Sequence, residues 1–72
     1  MAESVYKVIE LVGTSTESWE KAAAVAVKTA SQTLRDLRVA EVVMMDATIG
    51  DTGAIESYRV KLRVSFKYEG NG

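Results

Sequence analysis

Between residues 58 and 68 apolar and polar side chains alternate. Tyr58, Val60, Leu62, Val64, Phe66 and Tyr68 fall on one side, and Arg59, Lys61, Arg63, Ser65 and Lys67 on the other. Successive side chains of a strand face opposite sides of a sheet, so this segment reads as a half-buried strand with a greasy face and a basic one. Residues 5–12 have the same period, with Val5, Lys7, Ile9 and Leu11 opposite Tyr6, Val8, Glu10 and Val12. The run is rich in β-branched residues and stops at Gly13. Gly13-Thr14-Ser15-Thr16 reads as the turn that follows.

The period then changes. Trp19, Ala22, Ala23, Ala26, Ala30, Thr33, Leu34 and Leu37 recur at three- and four-residue steps, which predicts a helix over 17–37 with one apolar stripe. Ser15 or Thr16 can accept a backbone N–H as N-cap, and Glu17 and Glu20 fall where the helix dipole favours anions. The stripe is alanine in its middle, so another segment can approach the helix closely there.

A further strand is predicted over 39–49. Val39, Glu41, Val43, Met45, Ala47 and Ile49 alternate with Ala40, Val42, Met44, Asp46 and Thr48. Both sets are largely apolar, which implies burial against another subunit in so short a chain. Gly50-Asp51-Thr52-Gly53 supplies a turn, and the last strand starts near Ile55. Residues 69–72 read as a frayed polar tail. The order is β-α-β-β, an α+β fold in one domain over 1–72. One helix packs on a three-stranded antiparallel sheet of strand order 1-3-2, an arrangement that keeps the crossover right-handed.

Composition narrows the chemistry. The 72 residues include neither cysteine nor histidine. That removes disulfides, thiolate zinc sites and Cys- or His-based catalysis. A domain of this size buries only about 60% of its unfolded surface, so self-association is its remaining common support. Nine basic against ten acidic residues give a net charge of −1, which argues against a nucleic-acid partner. No run is long and apolar enough for a membrane span, and residues 1–7 carry no secretion signal, so the expected compartment is the cytoplasm.

The basic row Arg59, Lys61, Arg63 and Lys67 reads as an anion site or as one side of ion pairs. The pairing reading, with Glu10, Glu41 or Asp46, is preferred because opposite charges across strands attract. Asp46, Asp51 and Glu56 flank the hairpin and are the candidate ligands for a hard cation such as calcium. EF-hand spacing is absent, and turn formation by Asp51 and solvation of Glu56 account for both without a metal. Trp19 reads as a core or interface anchor, and Met44 and Met45 as filler. No paired acids in a cleft and no phosphate loop are visible, so an enzyme is not expected.

Several segments together resemble the dodecins. They are Val5-Tyr6-Lys7-Val8-Ile9-Glu10-Leu11-Val12-Gly13-Thr14-Ser15, the alanine-rich helix, Glu41-Val42-Val43, and Val64-Ser65-Phe66-Lys67-Tyr68-Glu69. The resemblance implies β-α-β-β subunits assembled as a hollow homododecamer. It also implies, in many members, flavin (FMN or riboflavin) bound in pairs at subunit contacts for storage. In those members a tryptophan just before the second strand stacks on the flavin ring, and a glutamine on the third strand bonds its edge. The matching positions here are Val39 and Arg59. Valine has no π face, and arginine donates without accepting, so the flavin pocket is expected to be degraded. Ser18-Trp19-Glu20 and Arg38-Val39-Ala40 are similar to the calcium dodecin type, which implies calcium binding without fixing the ligands. The expected function is a non-enzymatic binding or storage protein whose partners are copies of itself and a small molecule or ion. Calcium binding and flavin storage stand as alternative roles.

Overall fold

The computed structural model describes residues 3–67. Strand β1 (Tyr6–Ser15), helix α1 (Trp19–Ser31) and strands β2 (Leu37–Ile49) and β3 (Ile55–Lys67) follow one another along the chain. β3 lies between β1 and β2 and runs antiparallel to both, as the 1-3-2 order requires. Tyr68 and the 69–72 tail lie outside the described residues.

The alternation along β3 sets the core. Val60, Leu62 and Val64 are buried to about 1% exposure and pack under Ala22 and Ala26 of α1. Ile9 and Leu11 of β1 and Trp19 and Val27 of α1 complete this layer. The helix lies over β1 and β3 and reaches β2 only marginally, so most of β2 is uncovered on both faces.

The close approach allowed by the alanine stripe is made by β1. An added Cβ on Gly13 would stand 2.1 Å from the Ala22 carbonyl oxygen and 2.9 Å from the Ala26 Cβ. Gly13 is therefore a strand residue chosen for lack of a side chain. This corrects the expected turn: β1 continues through Ser15, pairing Gly13 with Val60 and Ser15 with Tyr58.

The helix is shorter than its apolar period at both ends. Ser18 is the N-cap, its hydroxyl accepting from the Lys21 N–H at 3.0 Å. Ser15 Oγ instead accepts from the Glu17 N–H at 2.9 Å, just ahead of the helix. At the other end the Gln32 and Thr33 N–H groups bond back to Thr29 and Ala30 at 3.2 Å each, tightening the last turn. Asp36 then adopts φ 59°, which short polar side chains tolerate, and Leu37 enters β2 opposite Phe66. Thr33, Leu34 and Leu37 thus keep the helical spacing without being helical.

A second correction concerns β2. Its register on β3 shifts between Val42 and Met44, which makes a bulge at Val43. The strict alternation expected over 39–49 therefore breaks. Val42 and Met45, opposite Leu62 and Val60, share the helix side, while Glu41, Met44 and Asp46, opposite Arg63, Lys61 and Arg59, share the other. Without the bulge, Asp46 would point its carboxylate into the apolar layer.

Candidate functional site

The sheet face away from α1 carries the charged chemistry. The odd-numbered residues of β3 place Arg59, Lys61 and Arg63 in a row along the central strand. Glu10 of β1 and Asp46 of β2 stand across from them. Arg59 donates through Nε to Asp46 Oδ1 and through Nη2 to Oδ2, both at 2.8 Å. Arg63 Nε reaches Glu10 Oε2 at 3.1 Å, and Lys61 Nζ lies 3.6 Å from Glu10 Oε1. The preferred reading of the basic row as ion-pair partners holds for Arg59, Lys61 and Arg63. Glu41 sits opposite Arg63 in register, yet Arg63 bonds to Glu10. Lys67 forms no ion pair among the described residues.

The pairs shift the ionisation of their members. The hydrogen bond from Arg59 holds the Asp46 carboxyl below its ordinary range, against a smaller opposing effect of desolvation. Glu10 is lowered chiefly by the Arg63 hydrogen bond and then by the charge of Lys61. Arg59 is raised in turn by Asp46. A small cleft of ≈ 200 Å³ between Val12, Met44, Asp46, Arg59 and Lys61 marks the middle of this face.

On the helix side, an almost wholly apolar recess of ≈ 230 Å³ opens beside β2, lined by Trp19, Ala23, Val42, Met45 and Val60 with Glu20. The Trp19 indole N–H donates to the Asp46 carbonyl at 2.9 Å, and its ring meets Tyr58 edge-on, with centroids 4.8 Å apart. Trp19 is thus the anchor expected of it. The recess itself was not legible in the sequence, because Val42 and Met45 share a face only through the bulge.

The dodecin family model matches residues 5–69. The chain belongs to the dodecin family. It is 53% identical to the calcium dodecin of Mycobacterium tuberculosis over 64 residues, covering 89% of each chain. It is 46% identical to the dodecin of Thermus thermophilus over 65 residues, covering 90% of this chain and 93% of that protein. The crystal structure of the M. tuberculosis calcium dodecin, described as having a calcium-binding site, superposes with a TM-score of 0.82 at 49% identity, covering 96% of this chain and 97% of that one. These relatives are named as dodecins, not as enzymes.

Within this dodecin fold, Val39 and Arg59 lie far apart in one chain. Val39 pairs with Ser65, six positions along β3 from Arg59, or about 20 Å at ~3.3 Å per residue. Val39 is 61% exposed on β2. Arg59 is engaged by Asp46 through two of its nitrogens. The three candidate metal ligands are not gathered either. Asp46 is held by Arg59, Asp51 stands in the hairpin turn and Glu56 follows on β3. Among the described residues no three carboxylates come within reach of one ion, so these residues of one chain supply no carboxylate cage. No helix among the described residues is long and apolar enough to cross a membrane.

Proposed function

We propose that this chain is a non-enzymatic binding and storage protein that works as a hollow homododecamer, with calcium as its ligand and the flavin site lost. The observation that carries this reading is the bare apolar surface of β2. Val39, Val42, Met44, Met45 and Ile49 are each at least half exposed, on a strand that the helix scarcely covers. Apolar surface of that extent marks an interface, and copies of the same chain are the partner the family provides. Binding sites then form between copies.

Calcium is favoured by the 53% identity to a protein named calcium dodecin. Since one chain gathers no three carboxylates among the described residues, an ion here draws its oxygens from more than one copy, or from carbonyls and water besides carboxylates. Asp51 and Glu56 make no ion pair within their own chain among the described residues. Flavin is disfavoured because Val39 has no ring to stack and Arg59 is spent on Asp46.

Native mass spectrometry of freshly purified protein tests the assembly, and calorimetric titration with calcium, with and without chelator, tests the ligand. The expected results are a twelve-fold subunit mass and a binding heat that the chelator abolishes. A single-chain mass at micromolar concentration overturns the assembly, and absence of binding heat overturns calcium. Riboflavin or FMN quenching at sub-micromolar concentration overturns the loss of the flavin site.

A further inference from the structure

The β2–β3 hairpin extends beyond β1. Pairing of β1 with β3 stops at Ser15 and Tyr58, whereas β2 and β3 stay paired out to Ile49 and Ile55. Those two isoleucines face each other across the strands and are 72% and 51% exposed. Asp51 and Glu56, both exposed, stand beside them, so the tip is an apolar pair with an acidic collar.

Elsewhere on the chain, α1 and β1 leave a groove of ≈ 520 Å³ whose lining includes Ile9, Leu11, Val25, Ala26, Ala30 and Leu34 and no charged side chain. The exposed cations Lys28 and Arg35 neighbour the lining residues Thr29 and Leu34. The recess by Trp19 is apolar too, but Glu20 lines it and repels an acidic collar.

We propose that the Ile49–Ile55 tip of one copy seats in the α1–β1 groove of a second copy, with Asp51 and Glu56 facing Lys28 and Arg35. Size, an uncharged lining and opposite charge beside it select this groove over the Trp19 recess. Tip and groove are different parts of the chain, so the contact is heterologous: every copy gives one tip and receives one, which makes a ring where the rotation closes, and a shell needs a second contact, for which the bare face of β2 is available. The inference rests on the self-association read above and specifies how it is made.

The absence of cysteine makes trapping clean. Copies carrying Val25→Cys are mixed with copies carrying Ile55→Cys and joined by oxidation or a short bismaleimide. Glu20→Cys with Ile55→Cys is the control for the other recess. Separately, Ile49→Ser with Ile55→Ser is compared with the unmodified protein by native mass spectrometry, with circular dichroism to confirm folding. The expected results are trapped 25–55 pairs, no 20–55 pairs, and loss of the assembled species in the serine variant. An assembly that survives the serine changes, or that traps through position 20 and not 25, overturns the tip–groove contact and leaves self-association standing. If the serine variant fails to fold, the trapping pair decides alone. An unmodified protein that runs as single chains removes both readings.

Discussion

The Trp19 indole N–H donates to the Asp46 carbonyl at 2.9 Å, while the Asp46 carboxylate, on the opposite side of the sheet, grips Arg59 through both oxygens at 2.8 Å. One residue of β2 therefore joins the start of α1 to the charged face. The bulge at Val43 makes this possible, because it turns the Asp46 side chain away from the helix.

Trp19→Phe keeps a six-membered ring against Tyr58 and removes the indole donor together with part of the bicyclic ring's packing area. The expected loss is at least about 1 kcal/mol, the usual net worth of one such hydrogen bond, with the lost ring area added to it. Trp19→Ala also removes the packing of a half-buried ring. It is expected to cost roughly 2–3 kcal/mol, below the full range for a buried tryptophan. Urea midpoints measured at one fixed protein concentration separate the two, since any self-association makes the midpoint concentration-dependent. Equal losses in both variants would mean that the ring contributes nothing beyond its donor.

Gly13→Ala forces a Cβ to 2.1 Å from a backbone oxygen of α1. A backbone oxygen cannot swing away, so the helix must lift off β1. The expected destabilisation is at the upper end of the ~1–3 kcal/mol typical of overpacking. Combining it with Ala26→Gly relieves only the 2.9 Å contact and is expected not to rescue. Thermal midpoints of the single and double variants check this. Recovery in the double variant would place the conflict at the Ala26 methyl instead.

The strand order was legible because the β-α-β crossover must stay right-handed over an antiparallel sheet, and the buried face of β3 because Val60, Leu62 and Val64 alternate without a break. The facing of β2 was not, because its even and odd positions are both apolar and a bulge leaves no mark in such a pattern. The helix end was hidden for a related reason. Thr33, Leu34 and Leu37 continue the 3.6-residue spacing, and Asp36, not glycine or proline, makes the turn with its positive φ. Gly13 looked like a turn because a glycine needed for close approach and a glycine needed for conformational freedom are the same letter. Of the charged face, the pairing of cations with carboxylates could be read from composition. Arg59 choosing Asp46 depends on the register shift at the bulge, whereas Arg63 stands opposite both Glu10 and Glu41 and its choice of Glu10 is not set by register.

The acid limb of stability follows from the same pairs. Asp46 and Glu10 titrate below the ordinary carboxylate range because of their Arg59 and Arg63 partners. A carboxyl lowered in the folded chain contributes fully above its unfolded pKa of about 4, and that contribution is lost as the pH falls through the lower folded value. Thermal midpoints are therefore expected to stay level from about pH 7 to pH 5 and to fall below about pH 4. Asp46→Asn is expected to start from a lower neutral plateau and to fall less on acidification. High salt narrows the difference, because the pairs are solvent-exposed. An acid limb of unchanged steepness in Asp46→Asn would remove this pair as its source.

The last prediction concerns the two positions that match the family's flavin site. Val39→Trp restores a ring face, and one stacked ring contributes ~1–3 kcal/mol by analogy with bases on aromatic side chains. That corresponds to roughly a five- to 150-fold gain in riboflavin affinity. Arg59→Gln supplies an edge that both donates and accepts. It also releases Asp46, whose carboxylate stays solvated on the open face, so its effect on folding is expected to be small. The expected ranking of fluorescence quenching is the double variant above Val39→Trp alone, and both above the unmodified protein. If Val39→Trp gains and the added Arg59→Gln does not, the glutamine edge is supplied elsewhere. If neither variant gains, Val39 and Arg59 are not the flavin positions of this chain.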